Sequence, residues 1–264
     1  MEWINSSIGQ IKSGIMEGRK VSKQELMDNG VPPLYASEIE KAMDALIKRI
    51  EFKRNGIFIV ISGIDKSGKE TQAFTGAANV KPISAFLKEQ GYSVLNIIQP
   101  SYDTVLGSMV KWYLNTGSLK REDAWILWVL DRAQHNLKIA DWLSKGGIVL
   151  AKRWTESNLV YQTVQGINAD AILMAERNIV KQDVTFVLDV NLSEVFRRMD
   201  GKGDYYENSE ILKKVIKNYL KLRLTYRYGT IVYVDANGPL HEVNSTLLSV
   251  VKDYLDASLD NRQI

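Results

Sequence analysis

Residues Gly63 to Gln72 read Gly-Ile-Asp-Lys-Ser-Gly-Lys-Glu-Thr-Gln and directly follow the apolar run Ile57-Phe58-Ile59-Val60-Ile61. The spacing Gly-x-x-x-x-Gly-Lys predicts a phosphate-binding loop between a strand and a helix. In such a loop, backbone N–H groups and the positive end of the helix face a polyphosphate, and the lysine reaches its terminal phosphates. The same letters also occur by chance in ordinary strand–turn–helix connections. The short β-branched strand before the loop favours nucleotide binding.

The loop carries one irregularity, which concerns a metal ion. Glu70 stands where Ser or Thr normally ligates Mg²⁺, and the hydroxyl arrives one residue later as Thr71. A carboxylate is itself a good Mg²⁺ ligand, so Glu70 and Thr71 are the predicted metal ligands. The predicted nucleotide-binding residues are Gly63, Ser67, Gly68, Lys69, Glu70 and Thr71.

Composition narrows the class of protein. The chain has 264 residues, of which 45% are hydrophobic and 25% charged, as expected for one α/β domain with an appendage. Its net charge of +3 comes from 34 basic and 31 acidic residues, without a basic block for nucleic acid or membrane. The chain has no cysteine, which excludes disulfides and cysteine metal sites. With no long apolar run and no signal pattern at Met1, a soluble cytoplasmic protein is expected.

Residues 1–54 form a predicted helical extension, and residues 55–264 form the predicted nucleotide-binding domain. Isoleucines recur in the extension at helical steps, as Ile4, Ile8, Ile11 and Ile15. Val31-Pro32-Pro33 interrupts the pattern, and Ser37–Arg54 is again helical. We expect the extension to pack on the core or on another subunit, and a separate binding activity is the alternative.

From Ile57 onward, apolar strands alternate with helical stretches, which predicts an α/β fold with a parallel five-stranded sheet flanked by helices. The predicted strands are Ile57–Ser62, Ser93–Ile98, Ile148–Lys152, Val184–Val190 and Thr230–Asp235. Their apolar composition predicts burial on both faces. Pro82 predicts an irregular stretch from Phe74, with a helix resuming to Gln90.

The helical segment between the second and third strands contains a pair of functional candidates. Trp128 and Arg132 are four residues apart, so they share a helix face, where an aromatic ring and a cation can hold a base and a phosphate. The alternative is a core tryptophan beside a solvated arginine.

Several motifs together resemble the thymidylate kinase family of P-loop kinases. In chain order they are the phosphate loop, Pro100, Asp131–His135, Arg153 with Ser157–Gln162, and Asp183–Val190. The resemblance covers roughly residues 56–258 and leaves the first 54 residues unexplained. It implies transfer of the γ-phosphoryl group of ATP to dTMP, giving dTDP, with ATP and Mg²⁺ as cofactors. It also implies a homodimer formed through helices beside the base pocket.

The resemblance implies a role for each matching residue. Catalytic roles fall on Lys69, Lys66 and Arg153, which would neutralise phosphate charge. Acceptor-binding roles fall on Asp65, Trp128, Arg132, Gln134, Arg153, Tyr161 and Gln162. As alternatives, Asp65 only fixes the loop turn and Tyr161 is core packing. For Gln134 and His135 the alternative is a solvated helix face, and this is the preferred interpretation of His135.

The chain departs from the family at charged positions. Glu70 replaces the metal-binding hydroxyl, and Lys152 replaces the Asp of an Asp-Arg pair, which together suggest a Glu70–Lys152 ion pair. Tyr102 stands where some members have a phosphate-binding arginine, and Gln99 replaces a charged neighbour of Pro100. The predicted lid at residues 200–207 has Lys202 as its one cation and Tyr205 in place of an arginine.

Three functions therefore compete. The first is a kinase that phosphorylates dTMP or a close pyrimidine analogue. The second is a nucleotide-binding relative with weak or lost catalysis, acting through assembly or regulation. The third is an ATPase that drives motion, which requires an acidic pair at a strand end that the predicted strands lack.

Overall fold

The computed structural model describes residues 1–199 and 209–260, and it begins with three helices that precede the sheet. They are α1 (Trp3–Glu17), α2 (Lys23–Asp28) and α3 (Pro33–Ile47). Helix α2 starts at a capping box in which Ser22 and Glu25 satisfy each other's backbone N–H groups. Helix α3 was predicted over Ser37–Arg54, which is wrong at both ends. Pro33 opens it at a position where a missing N–H costs nothing, and Lys48 turns to an extended conformation.

Five parallel strands form one sheet in the spatial order β2-β3-β1-β4-β5. They are β1 (Ile57–Gly63), β2 (Val94–Ile98), β3 (Ile148–Lys152), β4 (Val184–Asp189) and β5 (Thr230–Asp235). This confirms the predicted fold class. Because all strands run the same way, their carboxyl ends lie at one edge of the sheet, where ligands bind in such folds.

Burial divides the strands into central and edge strands. Every residue of β1 is buried, and β3 and β4 are buried up to their last residues. Strand β2 instead alternates, with Asn96 and Ile98 exposed, and β5 is likewise exposed at both ends. The prediction that all five strands are buried on both faces is wrong for these two, because an edge strand has a neighbour on only one side.

The remaining helices connect the strands or, in the case of α14, follow the last one. After the phosphate loop come a π-helical turn (Thr71–Thr75) and α4 (Ile83–Glu89), close to the predicted interruption. Between β2 and β3 lie α5 (Val105–Thr116), α6 (Arg121–Ala124), α7 (Ile126–Ala133) and α8 (Asn136–Ser144). The others are α9 (Thr155–Val164), α10 (Ala169–Ala175), α11 (Leu192–Met199), α12 (Ser209–Leu220), α13 (Leu222–Thr225) and α14 (Leu240–Asp260). Across the described ranges, no helix is both long and apolar enough to span a membrane.

The N-terminal helices pack on helices of the sheet domain, most of which lie between β2 and β3. Helix α3 packs on α5 and α7, and α1 packs on α6 and α10. Polar contacts fix the arrangement: Asn178 Nδ2 donates to the carbonyl oxygens of Leu46 at 2.7 Å and Ile47 at 2.9 Å. Lys12 Nζ lies 2.5 Å from Asp123 Oδ1. The extension therefore shares one hydrophobic core with the sheet domain.

Candidate active site

The phosphate loop leaves the sheet at Gly63. This residue has φ +135°, and a Cβ there would lie 2.7 Å from the carbonyl oxygen of Leu188, so the position requires glycine. Ser67 N–H donates to the carbonyl of Ile64 at 3.3 Å and closes the loop. Gly63 and Ser67 support the loop from behind, whereas Gly68, Lys69, Glu70 and Thr71 line the cavity in front of it.

Lys69 is folded back onto its own loop. Its Nζ donates to the carbonyl of Ile64 and to Ser67 Oγ, and the residue is buried. Burial lowers the pKa of Lys69 well below its usual range, and the neighbouring Arg153 cation lowers it further. An ammonium held this way is destabilised until a negative group shares the site.

A cavity of about 860 Å³, here called the loop cavity, opens between the phosphate loop and the ends of β2 and β3. Among the described residues, five cationic side chains line it: Lys66, Lys69, Lys138, Lys152 and Arg153. Three carboxylates also line it: Asp65, Glu70 and Asp103. The surplus of positive charge suits a polyphosphate.

Arg153 and Asp65 connect the end of β3 to the phosphate loop. Arg153 Nη2 lies 2.6 Å from Asp65 Oδ1, and Tyr161 OH donates to Asp65 Oδ2 at 3.3 Å. Arg153 Nη1 donates to Ser157 Oγ and Tyr219 OH, each at 3.0 Å. Burial alone would raise the pKa of Asp65, but Arg153 and Lys69 outweigh it and lower the pKa to about 2. Asp65 is therefore a permanent carboxylate that joins the phosphate loop to Arg153 and Tyr161.

A second cavity of about 170 Å³, here called the tryptophan cavity, adjoins the first. Its lining residues are Asp65, Gln99, Pro100, Tyr102, Leu114, Trp128, Arg132, Arg153, Ser157, Asn158, Tyr161 and Gln162. Six of the seven predicted acceptor residues thus come together. The exception is Gln134, whose Nε2 donates to Asp131 Oδ1 at 2.7 Å. Asp65 and Arg153 line both cavities.

Trp128 and Arg132 lie in one wall of the tryptophan cavity. The Trp128 ring meets Tyr113 edge-on, with centroids 5.7 Å apart. Arg132 is buried, donates to the carbonyl of Trp128 at 2.8 Å, and lies 3.5 Å from Glu176 Oε1. The alternative of a solvated arginine is therefore wrong. Burial raises the pKa of Glu176 to about 7 although Arg132 opposes the shift.

Polar atoms without partners distinguish this cavity from ordinary core. Within residues 1–199 and 209–260, Gln99 Oε1, Arg132 Nε and Asn158 Oδ1 are buried and make no hydrogen bond. All three residues line the tryptophan cavity. Buried polar groups in native proteins are nearly always paired, so these two acceptors and one donor set this wall apart from ordinary core. Sequence reasoning missed Asn158 as a site residue, although it lies inside the Ser157–Gln162 motif.

The predicted Glu70–Lys152 ion pair is present, with Lys152 Nζ 2.6 Å from Glu70 Oε2. Thr71 lines the same cavity. On the far wall, His135 Nε2 lies 2.8 Å from Ser101 Oγ, and burial lowers its pKa to about 4. The interpretation of His135 as part of a solvated helix face is therefore wrong.

A third cavity, about 630 Å³, extends from the phosphate loop toward the end of β5. It shares Lys66 and Gly68 with the loop cavity and adds Arg198, Asn237 and Gly238. Arg198 Nη1 donates to the carbonyl of Lys66 at 3.2 Å. Arg198, Asn237 and Gly238 were not predicted as site residues, although the end of β5 lies at the same edge of the sheet as the ends of β2 and β3. The lid positions Lys202 and Tyr205 lie outside the described residues.

Comparison with known proteins agrees with this geometry. The family model described as Thymidylate kinase matches residues 61–247. The chain belongs to the thymidylate kinase family. The probable thymidylate kinase of Thermococcus onnurineus (strain NA1) is 30% identical over 212 residues, which are 75% of this chain and 98% of that protein. That of Pyrococcus abyssi (strain GE5 / Orsay) is 31% identical over 210 residues, which are 76% and 98%.

Among solved structures, the thymidylate kinase from Candida albicans is similar, with a TM-score of 0.57 at 23% identity. The match covers 76% of this chain and 93% of that one, and at this identity it supports the fold. The family assignment confirms the resemblance found in the sequence, and with it a nucleotide-binding P-loop phosphotransferase.

Proposed function

We propose that this chain transfers the γ-phosphoryl group of ATP to dTMP, giving ADP and dTDP. The observation that carries the proposal is that Asp65 and Arg153 line both the loop cavity and the tryptophan cavity. Ligands in the two cavities would therefore meet at these side chains, as in-line transfer between two nucleotides requires.

The donor would occupy the loop cavity. The N–H groups from Gly68 to Thr71 face its phosphates, and Lys69 exchanges its bonds to Ile64 and Ser67 for phosphate oxygens. Lys66, which also lines the cavity, offsets charge on the transferred group. The adenosine end would lie in the third cavity, beside Arg198 and Asn237.

The acceptor would occupy the tryptophan cavity. Trp128 offers an aromatic surface to the base, while Arg132 Nε and Asn158 Oδ1 provide a donor and an acceptor for its polar edge. Tyr161 and Gln162 complete the base and sugar wall, and Asp65 accepts a hydrogen bond from the sugar hydroxyl. The Arg153 guanidinium would hold the 5′-phosphate.

The reaction needs positioning and charge neutralisation more than covalent help. An oxygen of the dTMP phosphate forms the new bond to the γ-phosphorus while the bond to the β–γ bridging oxygen breaks, and ADP leaves with that electron pair. Lys66, Lys69 and Arg153, the predicted catalytic cations, line the cavity along this path. Glu70 and Thr71 are the predicted Mg²⁺ ligands. The Glu70 carboxylate is instead paired with the Lys152 ammonium, so Glu70 and Thr71 together do not fit a protein-bound divalent cation.

The intact Lys69, Asp65 and Arg153 favour this function over nucleotide binding without catalysis. A coupled assay of ADP release, with ATP, Mg²⁺ and each of dTMP, dUMP, dCMP, dGMP and dAMP, tests it. Turnover should depend on the acceptor and be highest with dTMP. Tight nucleotide binding without turnover would instead support the non-catalytic alternative, and turnover that survives Lys69→Ala would reject the loop assignment.

The homodimer that the resemblance implies is part of the proposal, with one constraint. Helix α7, which borders the tryptophan cavity, is buried, and α3 of the same chain packs on α7 and on part of α5. A dimer would therefore have to use the outer surface of α1–α3 or another face. Sedimentation of the full chain distinguishes these states from a monomer.

A cytoplasmic location is also proposed, because a chain without cysteine suits a reducing compartment.

A further inference from the structure

Lys152 and Glu70 form an ion pair at the mouth of the phosphate loop. Lys152 is the last residue of β3 and stands beside Ile61 of β1, while Glu70 directly follows Lys69. Their side chains meet at 2.6 Å, with Lys152 only 18% exposed and Glu70 53% exposed. The strand register fixes the backbone position of Lys152, so the sheet holds one partner of the ion pair in place.

By the family resemblance, Glu70 stands in place of the metal-binding hydroxyl, and Lys152 stands in place of the Asp of an Asp-Arg pair. Mg²⁺ requires oxygen ligands at about 2.0–2.1 Å in near-octahedral geometry. An ammonium group has three donors and no lone pair, so Lys152 cannot ligate a cation. Placed 2.6 Å from the Glu70 carboxylate, it also repels a second cation there.

The loop cavity is cationic without a metal. Two of its three carboxylates already face cations of the protein, Glu70 facing Lys152 and Asp65 facing Arg153. Lys66, Lys69 and Lys138 are the other cationic side chains that line it in the described part of the chain. The positive charge for a polyphosphate is therefore supplied by side chains.

We propose that Lys152 takes the place of a protein-bound divalent cation, so that this chain binds the nucleoside polyphosphate equally well with and without Mg²⁺. Glu70 holds the Lys152 ammonium at the loop mouth, within reach of the phosphates. The inference rests on the proposed donor site in the loop cavity, and it concerns binding at that site.

The test is calorimetric titration of the full chain with ATP, in excess EDTA and again in excess Mg²⁺. We expect the two dissociation constants to agree within about three-fold, well below the ten-fold change expected from one charged interaction. If ATP binds only with Mg²⁺, the inference is overturned while the proposed function stands. If ATP binds in neither condition, the donor site itself is wrong.

Two matched variants identify the group responsible. Lys152→Gln removes the cation and leaves Glu70 facing the phosphates, so metal-free ATP should bind about ten-fold more weakly or worse. Glu70→Gln removes the carboxylate that positions the ammonium and keeps the cation, so metal-free binding should weaken much less than in Lys152→Gln. Melting temperatures confirm that both variants are folded. Equal loss of metal-free binding in both variants would show a merely structural pair and overturn the inference.

A third variant restores the family pattern. Glu70→Thr combined with Lys152→Asp supplies a hydroxyl and a carboxylate oxygen at the loop mouth. ATP binding by this double variant should become at least ten-fold tighter in Mg²⁺ than in EDTA, the size of one charge-assisted contact. If instead it shows the same indifference to Mg²⁺ as the unaltered chain, Lys152 is not the substitute for the metal.

Discussion

Arg153 Nη2 lies 2.6 Å from Asp65 Oδ1, and this contact joins the third strand to the phosphate loop at the boundary of two cavities. Arg153 reaches it from a left-handed backbone conformation with φ +63°, which a residue other than glycine adopts at some cost. Four side chains hold the guanidinium: Asp65, Ser157, Tyr161 and Tyr219. The arrangement keeps a buried charge fixed in one orientation.

Asp65→Asn should lower both activity and stability. The substitution preserves shape but leaves the Arg153 guanidinium buried among neutral partners, which costs roughly 1.5–3 kcal/mol for a lost charged hydrogen bond. We expect kcat/KM for dTMP to fall by about 10–100-fold, together with a lower melting temperature. Asp141→Asn, which removes an exposed pairing with Lys145, is the matched control. Unchanged kinetics in Asp65→Asn would show that Asp65 serves only the loop turn.

Lys69→Met should separate catalysis from folding. Methionine has a similar length, and the buried ammonium is unfavourable before nucleotide binds, so the melting temperature should not fall. ATP binding and turnover should fall by at least about 10²-fold, because the phosphates lose a buried cation. Calorimetry and the ADP-release assay measure the two effects. If folded Lys69→Met binds ATP as tightly as the unaltered chain, or if its melting temperature falls, this role is contradicted.

Trp128→Ala should weaken acceptor binding alone. Removing the ring opens the wall of the tryptophan cavity, so KM for dTMP should rise by about ten-fold, while KM for ATP changes little. Trp128→Phe should recover most of the loss. Trp112→Ala, on the neighbouring helix α5 and outside both cavities, is the control. A larger change for ATP than for dTMP would place the acceptor elsewhere.

Asp131 should make the fold less stable as pH rises. Burial raises its pKa to about 7, although Ser101 N–H and Gln134 donate to it, whereas its ordinary value is 3.8. Between these values the native state binds more protons than the unfolded state. The free energy of unfolding therefore falls from about pH 4 to pH 7, and above pH 7 this group adds no further slope.

Urea unfolding of Asp131→Asn at a series of pH values from about 5 to 8 tests this assignment. The variant should show a shallower fall in the free energy of unfolding. The difference from the unaltered chain should grow by on the order of 1.4 kcal/mol for each pH step of about one, up to pH 7. Some slope should persist, because burial also raises the pKa of Glu176 to about 7. An unaltered slope would mean that Asp131 is ionised in the folded protein.

Local sequence patterns predicted the sheet better than its surroundings. Apolar β-branched runs located all five strands within one residue, because strand burial is expressed in the strand's own residues. Burial of the edge strands depends on how many neighbours each strand has, which no single strand encodes. The end of α3 was missed for a related reason, since the isoleucine at position 50 continued a periodic pattern after Lys48 had left the helical conformation.

Helix geometry explains why two of the predicted acceptor residues on this helical segment line the tryptophan cavity and a third does not. Trp128 and Arg132 are four residues apart and share a wall, whereas Gln134 lies six residues after Trp128 and so faces another direction. The Arg132–Glu176 contact joins residues 44 positions apart and was invisible to any local pattern. The Glu70–Lys152 pair was predictable, because two opposite charges replaced residues expected to lie together.

Helix α3 packs on α5 and α7 and belongs to the same chain as they do. A helix supplied by a second molecule would dissociate at low protein concentration, whereas a helix of the same chain keeps a fixed local concentration. The wall that carries Trp128 therefore stays assembled in a single molecule, at any dilution. Turnover per chain should accordingly remain constant as the protein is diluted into the nanomolar range.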